Sequence, residues 1–323
     1  MTVYTPLKVI YQLRNSMQRQ KKEAIRTPDE MAQLLEGGEL SVYAVASTKR
    51  FNWLSNIADD SQNGQKDTEI SLNDLNTLIQ LMDNARNFEK KLKKSLITLP
   101  EIASVSRQEF DSLVSNPAEL KHGEFQLTDA EASLIYQDIL GGNRPSDNSP
   151  IAKGKRQLLQ FLINSNVQII KSTQLNGAKA QFIEHKSRPT IVLNAHTLEK
   201  SVDITSKKKR SKYLAQLNKS FFHEIYHAQV HQHRNQSGWQ YSKSEEINAE
   251  VFQSVFTQSG KLSTTDLLNH IQQEHYLYLT PENQHNLATQ FHLSGGRFDI
   301  SPTPLLQKPT HLLPTELELN LKG

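Results

Sequence analysis

The pentapeptide His223-Glu-Ile-Tyr-His227 constrains this chain more than any other feature of its sequence. Residues four apart on an α-helix lie on the same face, about one turn from each other, so two such imidazoles can converge on one divalent ion. The apolar residues around the pentapeptide recur at helical spacing from about 211 to 232. The sequence therefore predicts a long helix that carries a metal site. Glu224, beside the first ligand, is predicted to be the general base that accepts a proton from a water molecule.

A catalytic Zn²⁺ site takes three protein ligands and leaves one position open, so His223 and His227 need a third partner. His233 has the spacing of the third metzincin histidine, but that arrangement needs a glycine where this chain has Val230. It also needs a downstream methionine, and the methionines of this chain are all upstream of the motif. His231 lies too far along the helix to reach the same ion. We expect both histidines to lie at the surface or to support the ligands without binding the metal.

The segment Ser244 to Glu250 begins a second helix and is rich in acidic residues. Its spacing after His227 is typical of gluzincins, in which a glutamate on a following helix completes the site. Glu246 is predicted to be the third ligand, with Glu245 as the alternative. Glu250, one turn later, is predicted to accept the N–H of a ligand histidine and so fix its tautomer. A competing explanation is that these acids only compensate the helix dipole.

These residues resemble two families of zinc peptidases. The stretch His223 to Ala228, together with Glu245, Glu246 and Ala249, is similar to NleD-type effector peptidases, which bacteria inject into host cells to cleave signalling kinases. The stretch Glu246 to Phe252, with His231, resembles the ImmA/IrrE family of intracellular peptidases that act on regulators. Either resemblance implies a zinc-dependent hydrolase acting on a protein substrate. The first family further implies an effector or toxin with a role in virulence.

The fold class implied is α+β: a zincin-like catalytic domain with a small sheet and the helix of the pentapeptide, preceded by a mainly helical region. We place the helical region at 1–125, the catalytic domain at 126–300 and an extended, proline-containing tail at 301–323. Short β-like runs occur near 167–171, 180–184 and 190–194. The run Thr190–Asn194 is predicted to be an edge strand that pairs with an extended substrate. Candidates for stabilising the oxyanion are Tyr241, Tyr276, His275 and Tyr278.

Composition narrows the functional classes. The chain has no cysteine, which excludes thiol catalysis and thiolate-bound zinc. Its formal net charge of +3 does not indicate a nucleic-acid partner, and the basic run Lys207–Arg210 is interpreted as solvated. No stretch approaches 18 consecutive apolar residues, and the N-terminus lacks the apolar region of a secretory signal. We expect a soluble protein that is cytoplasmic or exported by a leaderless route. The sequence does not predict its oligomeric state.

Three functional hypotheses stay open at this point. The first is a zinc endopeptidase that cleaves a protein. The second is a regulatory protein that keeps a zinc fold, as the ImmA/IrrE resemblance suggests, but acts by binding a partner. The third is a structural helical protein in which the pentapeptide is a coincidence.

Overall fold

The protein combines many helices with two small sheets. The computed structural model describes residues 6–35, 51–52, 54–55, 69–101, 103–115, 120–142, 147–175, 178–185, 188–203, 207–234 and 243–257. This mixed composition agrees with the predicted α+β class. In the described part of the chain, no helix is both long and apolar enough to cross a bilayer.

The described residues form two compact units. The first contains helix α1 (Pro6–Gln20), helix α2 (Pro28–Leu35), a short antiparallel pair of strands β1 (Ala24–Ile25) and β2 (Ile70–Ser71), and helix α3 (Leu72–Thr98) as far as Asn87. Ser71 caps the start of α3, because its hydroxyl accepts a hydrogen bond from the Asp74 N–H at 3.1 Å.

The second unit contains α3 from Phe88 and the elements that follow it, including the last described helix from Asn248 onward. Its helices are α4 (Arg107–Val114), α5 (Asp129–Ser133), a π-helical turn (Leu134–Ile139), α6 (Pro150–Asn164), α7 (Ala195–Asp203), α8 (Lys207–Arg234) and α9 (Lys243–Phe256), whose residues up to Ile247 are assigned to the first unit. Its strands are β3 (Glu124–Phe125), β4 (Gln168–Ser172), β5 (Ala180–His185) and β6 (Arg188–Asn194).

The four strands of the second unit form one sheet in the order β3-β4-β6-β5. Strands β4 and β6 are parallel, whereas β3 and β5 run antiparallel to their neighbours and lie at the two edges. The prediction that Thr190–Asn194 is an edge strand is therefore wrong. That segment belongs to β6, which is paired on both sides, and its continuous apolar run suits a buried central strand. Among the strands that the structure describes, β5 lies at the edge on this side of the sheet.

Helix α8 packs against β5 and β6 through one side and against α9 through another. From Phe221 to Val230 nearly every side chain is buried, so this part of the helix is enclosed all round. Phe222 stacks on Phe256 with ring centroids 5.1 Å apart, and Tyr226 contacts Phe252 at 5.5 Å. These aromatic pairs fix the position of α9 along α8.

Local sequence signals account for several further elements. A capping box starts α5, since the Thr128 hydroxyl accepts from the Glu131 N–H and the Glu131 carboxylate accepts from the Thr128 N–H. A second capping box joins Ser106 to Glu109 at the start of α4, a helix the sequence analysis missed. The hydrogen bonds from Ser106 hold the pKa of the Glu109 carboxyl below its usual value.

Candidate metal centre

The two histidines of the pentapeptide lie side by side near the middle of α8. Their ring centroids are 4.8 Å apart, as expected for residues one helical turn from each other. His227 is almost completely buried, and the His223 side chain retains 14% exposure. The pair is thus enclosed on most sides and accessible from the side of His223. The helical conformation that the sequence predicted for this segment is confirmed.

Glu246, in the first turns of α9, brings a carboxylate to these two imidazoles. Potential ligand atoms of His223, His227 and Glu246 all lie within 4.8 Å of one another, and the three residues could hold a metal ion. Among the residues that the structure describes, these three form the group of acidic and histidine side chains whose potential ligand atoms lie close enough together to bind one ion. The neighbouring Glu245, which the sequence left as an alternative, is buried but does not belong to the group.

The aromatic contacts of α9 explain why Glu246 lies where it does. Helix α9 is continuous from Lys243 to Phe256, so the positions of Phe252 and Phe256 on α8 determine the path of its first turns. Glu246 and Phe252 are six residues apart on this helix, a rise of about 9 Å along its axis. Packing of α9 on α8 therefore brings Glu246 close to the two histidines.

Glu250 lies one turn after Glu246 and approaches the first histidine. Its Oε2 is 4.0 Å from His223 Nδ1, and its side chain is 17% exposed. The separation is longer than a hydrogen bond, but the two groups face each other. The predicted role of Glu250 in fixing the histidine tautomer stays a prediction.

Glu224 is held by the edge strand of the sheet. Its Oε2 accepts a hydrogen bond from the backbone N–H of Phe182 at 2.7 Å, in a buried environment. Glu224 as a whole residue is 8% exposed and lies on the helix immediately after His223. Sequence reasoning missed Phe182, because the contributing group is a backbone amide and leaves no signature in residue type.

The remaining candidates do not enter the group. His231 contacts the ring of Phe182, with centroids 5.3 Å apart, and is not among the residues that could hold the ion. The side chain of His233 lies outside the described residues, as do Tyr241, His275, Tyr276 and Tyr278. Tyr226, inside the pentapeptide, is buried against Phe88 and Phe252 and serves the core.

Comparison with known proteins leaves the site to be interpreted from its geometry. No protein-family model, curated protein or solved structure matches the chain.

Proposed function

We propose that this chain is a zinc-dependent peptidase that hydrolyses peptide bonds of a protein substrate. The observation that carries the proposal is the convergence of two imidazoles and one carboxylate from α8 and α9, with ligand atoms within 4.8 Å of one another. Two nitrogen ligands and one oxygen ligand, with a further position left open, are the donor set of a catalytic zinc site.

The donor atoms fit a zinc ion in size as well as in type. Zinc binds nitrogen and oxygen ligands at about 2.0–2.2 Å, which separates the ligand atoms of a tetrahedral site by about 3.3 Å. Distances up to 4.8 Å need only a small contraction of the three side chains. His227 and Glu246 are almost completely buried, and a cation interacts more strongly with such groups there than it would in bulk water.

Glu224 has the chemistry of the general base in this proposal. When bound, zinc lowers the pKa of a water molecule and polarises a carbonyl oxygen. Glu224 accepts a proton from the attacking water and donates it to the amine nitrogen of the product as the C–N bond breaks. A carboxylate has about four acceptor positions, so the hydrogen bond from Phe182 is compatible with this proton transfer.

Strand β5 supplies a surface on which an extended substrate would bind. Within the described residues no strand pairs with its outer edge, so alternate backbone groups of Ala180 and Glu184 point away from the sheet. A substrate segment added there would run beside Glu224, which contacts the middle of the same strand. Main-chain pairing of this kind recognises extended polypeptide and supports a protein rather than a small-molecule substrate.

The proposal is tested with the isosteric variant Glu224→Gln, which keeps the shape of the side chain and removes its basicity. Cell lysate treated with wild-type protein, with Glu224→Gln, or with the exposed-site control Glu101→Gln is analysed by N-terminal mapping. We expect new protein N-termini with wild type and Glu101→Gln and a loss of at least about 100-fold in their formation with Glu224→Gln. Equal cleavage by wild type and Glu224→Gln would reject the mechanism. Absence of cleavage by wild type would favour a protein that acts by binding.

A further inference from the structure

The contact between Glu224 and Phe182 joins the site to the sheet through a backbone group. The Phe182 amide is the donor and the Glu224 carboxylate is the acceptor, across 42 residues of sequence. A hydrogen bond to an ionised acceptor is shorter and about twice as strong as one between neutral groups. The contact is buried, so water does not compete with it.

The register of β5 explains why this particular amide is available. The Asn194 N–H donates to the Lys179 carbonyl at 2.9 Å, which sets the phase of the ladder between β5 and β6. Gln181 and Ile183 therefore direct their backbone groups towards β6, and Phe182 directs its N–H outwards. Pro189, which has no N–H, lies opposite Glu184 at a position that needs no ladder bond, in agreement with this phase.

Phe182 is itself fixed in place by its side chain. The ring is 1% exposed and belongs to the main hydrophobic core of the second unit. It also contacts the imidazole of His231, one helical turn after His227, with ring centroids 5.3 Å apart. Residue 182 thus touches α8 twice, through its amide at Glu224 and through its ring at His231. The donor cannot move without disturbing both the core and the helix.

We propose that the backbone N–H of Phe182 is a positioning group for the reaction: it holds the Glu224 carboxylate in one orientation beside His223 and His227. Glu is a side chain with three rotatable bonds, and fixing it in a productive geometry contributes to rate without contacting the substrate. The proposal deepens the proposed function and rests on it. It assigns to the edge strand a role in orienting the base, in addition to any pairing with substrate.

The first test follows the hydrogen bond between the Phe182 N–H and Glu224, and it requires neither peptidase activity nor bound zinc. Amide hydrogen exchange at Phe182 is followed by NMR in the full chain for wild type, Glu224→Gln and Glu224→Ala. The Gln side chain keeps an acceptor oxygen and Ala has none. We expect slow exchange in wild type and Glu224→Gln, and exchange at least about tenfold faster in Glu224→Ala, because the amide loses its partner. Equal protection of the amide in Glu224→Ala and wild type would overturn the proposal.

The second test measures the consequence for catalysis. Phenyllactic acid at position 182 replaces the amide by an ester, which removes the N–H of residue 182 and weakens the Gln181 carbonyl as an acceptor. The matched control carries the hydroxy acid analogue of isoleucine at position 183, which removes an N–H that faces β6 and so reports the effect of weakening the ladder between β5 and β6. The substrate is the protein identified by N-terminal mapping. We expect the ester at 182 to lower kcat by about tenfold or more with KM and zinc content unchanged, whereas the control lowers the midpoint of thermal unfolding and leaves kcat within about twofold.

The two esters separate the alternatives. An equal loss of kcat in both variants would show a general effect of weakening β5, and a rise in KM alone at 182 would show that the N–H binds substrate. Either result would overturn the positioning role. Failure of the proposed function has a different signature, namely a wild type without peptidase activity, and the exchange measurement at Phe182 then still decides whether the N–H holds Glu224.

Discussion

Glu245 and Glu246, two consecutive residues at the start of α9, differ in their relation to the candidate metal site. Glu245 is fully buried and Glu246 is 5% exposed, but only Glu246 belongs to the group that could hold a metal. Successive residues on a helix point about 100° apart, so both carboxylates cannot face the same ion. Glu250 lies one turn after Glu246 and shares its side of the helix, which brings it to His223. The direction in which each residue projects therefore explains why Glu246, and not Glu245, belongs to the group that could hold a metal.

Substituting each of the three glutamates by Gln is predicted to give a graded loss of zinc affinity. Glu246→Gln removes the charge of a ligand and should weaken binding by more than about 100-fold, the upper range for residues that only support a ligand. Glu250→Gln should weaken it by about 10–100-fold. Glu245→Gln is the matched control and should leave affinity within about threefold. Competition with a chromophoric chelator gives the three constants. A larger loss for Glu245→Gln than for Glu246→Gln would reverse their assigned roles.

At the scale of elements, close packing of α6 against its neighbours supports the placement of α9. Gly154 lies inside α6, where a glycine costs about 1 kcal/mol relative to alanine. A Cβ at this position would lie 2.5 Å from Leu96 Cδ2 and 2.9 Å from Phe256 Cε1. Glycine therefore allows α3, α6 and the end of α9 to approach one another closely. Phe256 in turn stacks on Phe222, next to the first histidine.

Gly154→Ala is predicted to destabilise the fold despite its better helix propensity. Overpacking of a core costs about 1–3 kcal/mol, which exceeds or matches the gain of about 1 kcal/mol from propensity. The midpoint of thermal unfolding should fall, as followed by circular dichroism. Combination with Leu96→Ala, which removes the nearest atom, should cost less than the sum of the two single changes. Additive effects or a stabilised single variant would contradict the close approach.

The elements that were predicted from the sequence are those with a local signal. Apolar spacing predicted helix α8, and the starts of α3 and α5 also have a local signal in the caps at Ser71 and Thr128. The pairing of His223 and His227 was also predictable from a local signal, because residues four apart on a helix lie on the same face wherever that helix packs in the fold. Helix α4 was missed although Ser106 and Glu109 form a capping box, a signal that was present and not used.

The order of the strands in the sheet depends on contacts between distant segments, which local sequence patterns indicate only in part. The segments of β5 and β6 were both recognised as strands, but which of them lies at the edge is set by the pairing of β6 with β4. Composition contained a partial indication, because β6 has the unbroken apolar run Ile191–Leu193, whereas β5 has polar Gln181 and Glu184. The Phe182 amide was beyond sequence reasoning, because every non-proline residue carries the same backbone donor.

At the scale of the whole molecule, the proposed metal adds a link between helices that are already packed. The core of the second unit includes residues from α3, α6, the sheet, α8 and α9. A metal that binds the folded chain and not the unfolded one stabilises it by mass action. The predicted role of the fold is therefore to hold His223, His227 and Glu246 close together, so that binding needs little reorganisation.

The number of zinc ions bound per chain tests most directly the central claim, namely that His223, His227 and Glu246 form a metal centre. The full chain is purified, stripped with a chelator, reloaded with excess zinc, desalted and analysed by mass spectrometry of the elements, beside the double variant His223→Ala/His227→Ala and the surface control Glu101→Gln. The account predicts about one zinc per chain for wild type and the control, and less than about one tenth of that for the double variant. Zinc retained equally by all three proteins, or by none of them, would contradict a metal centre built from these side chains.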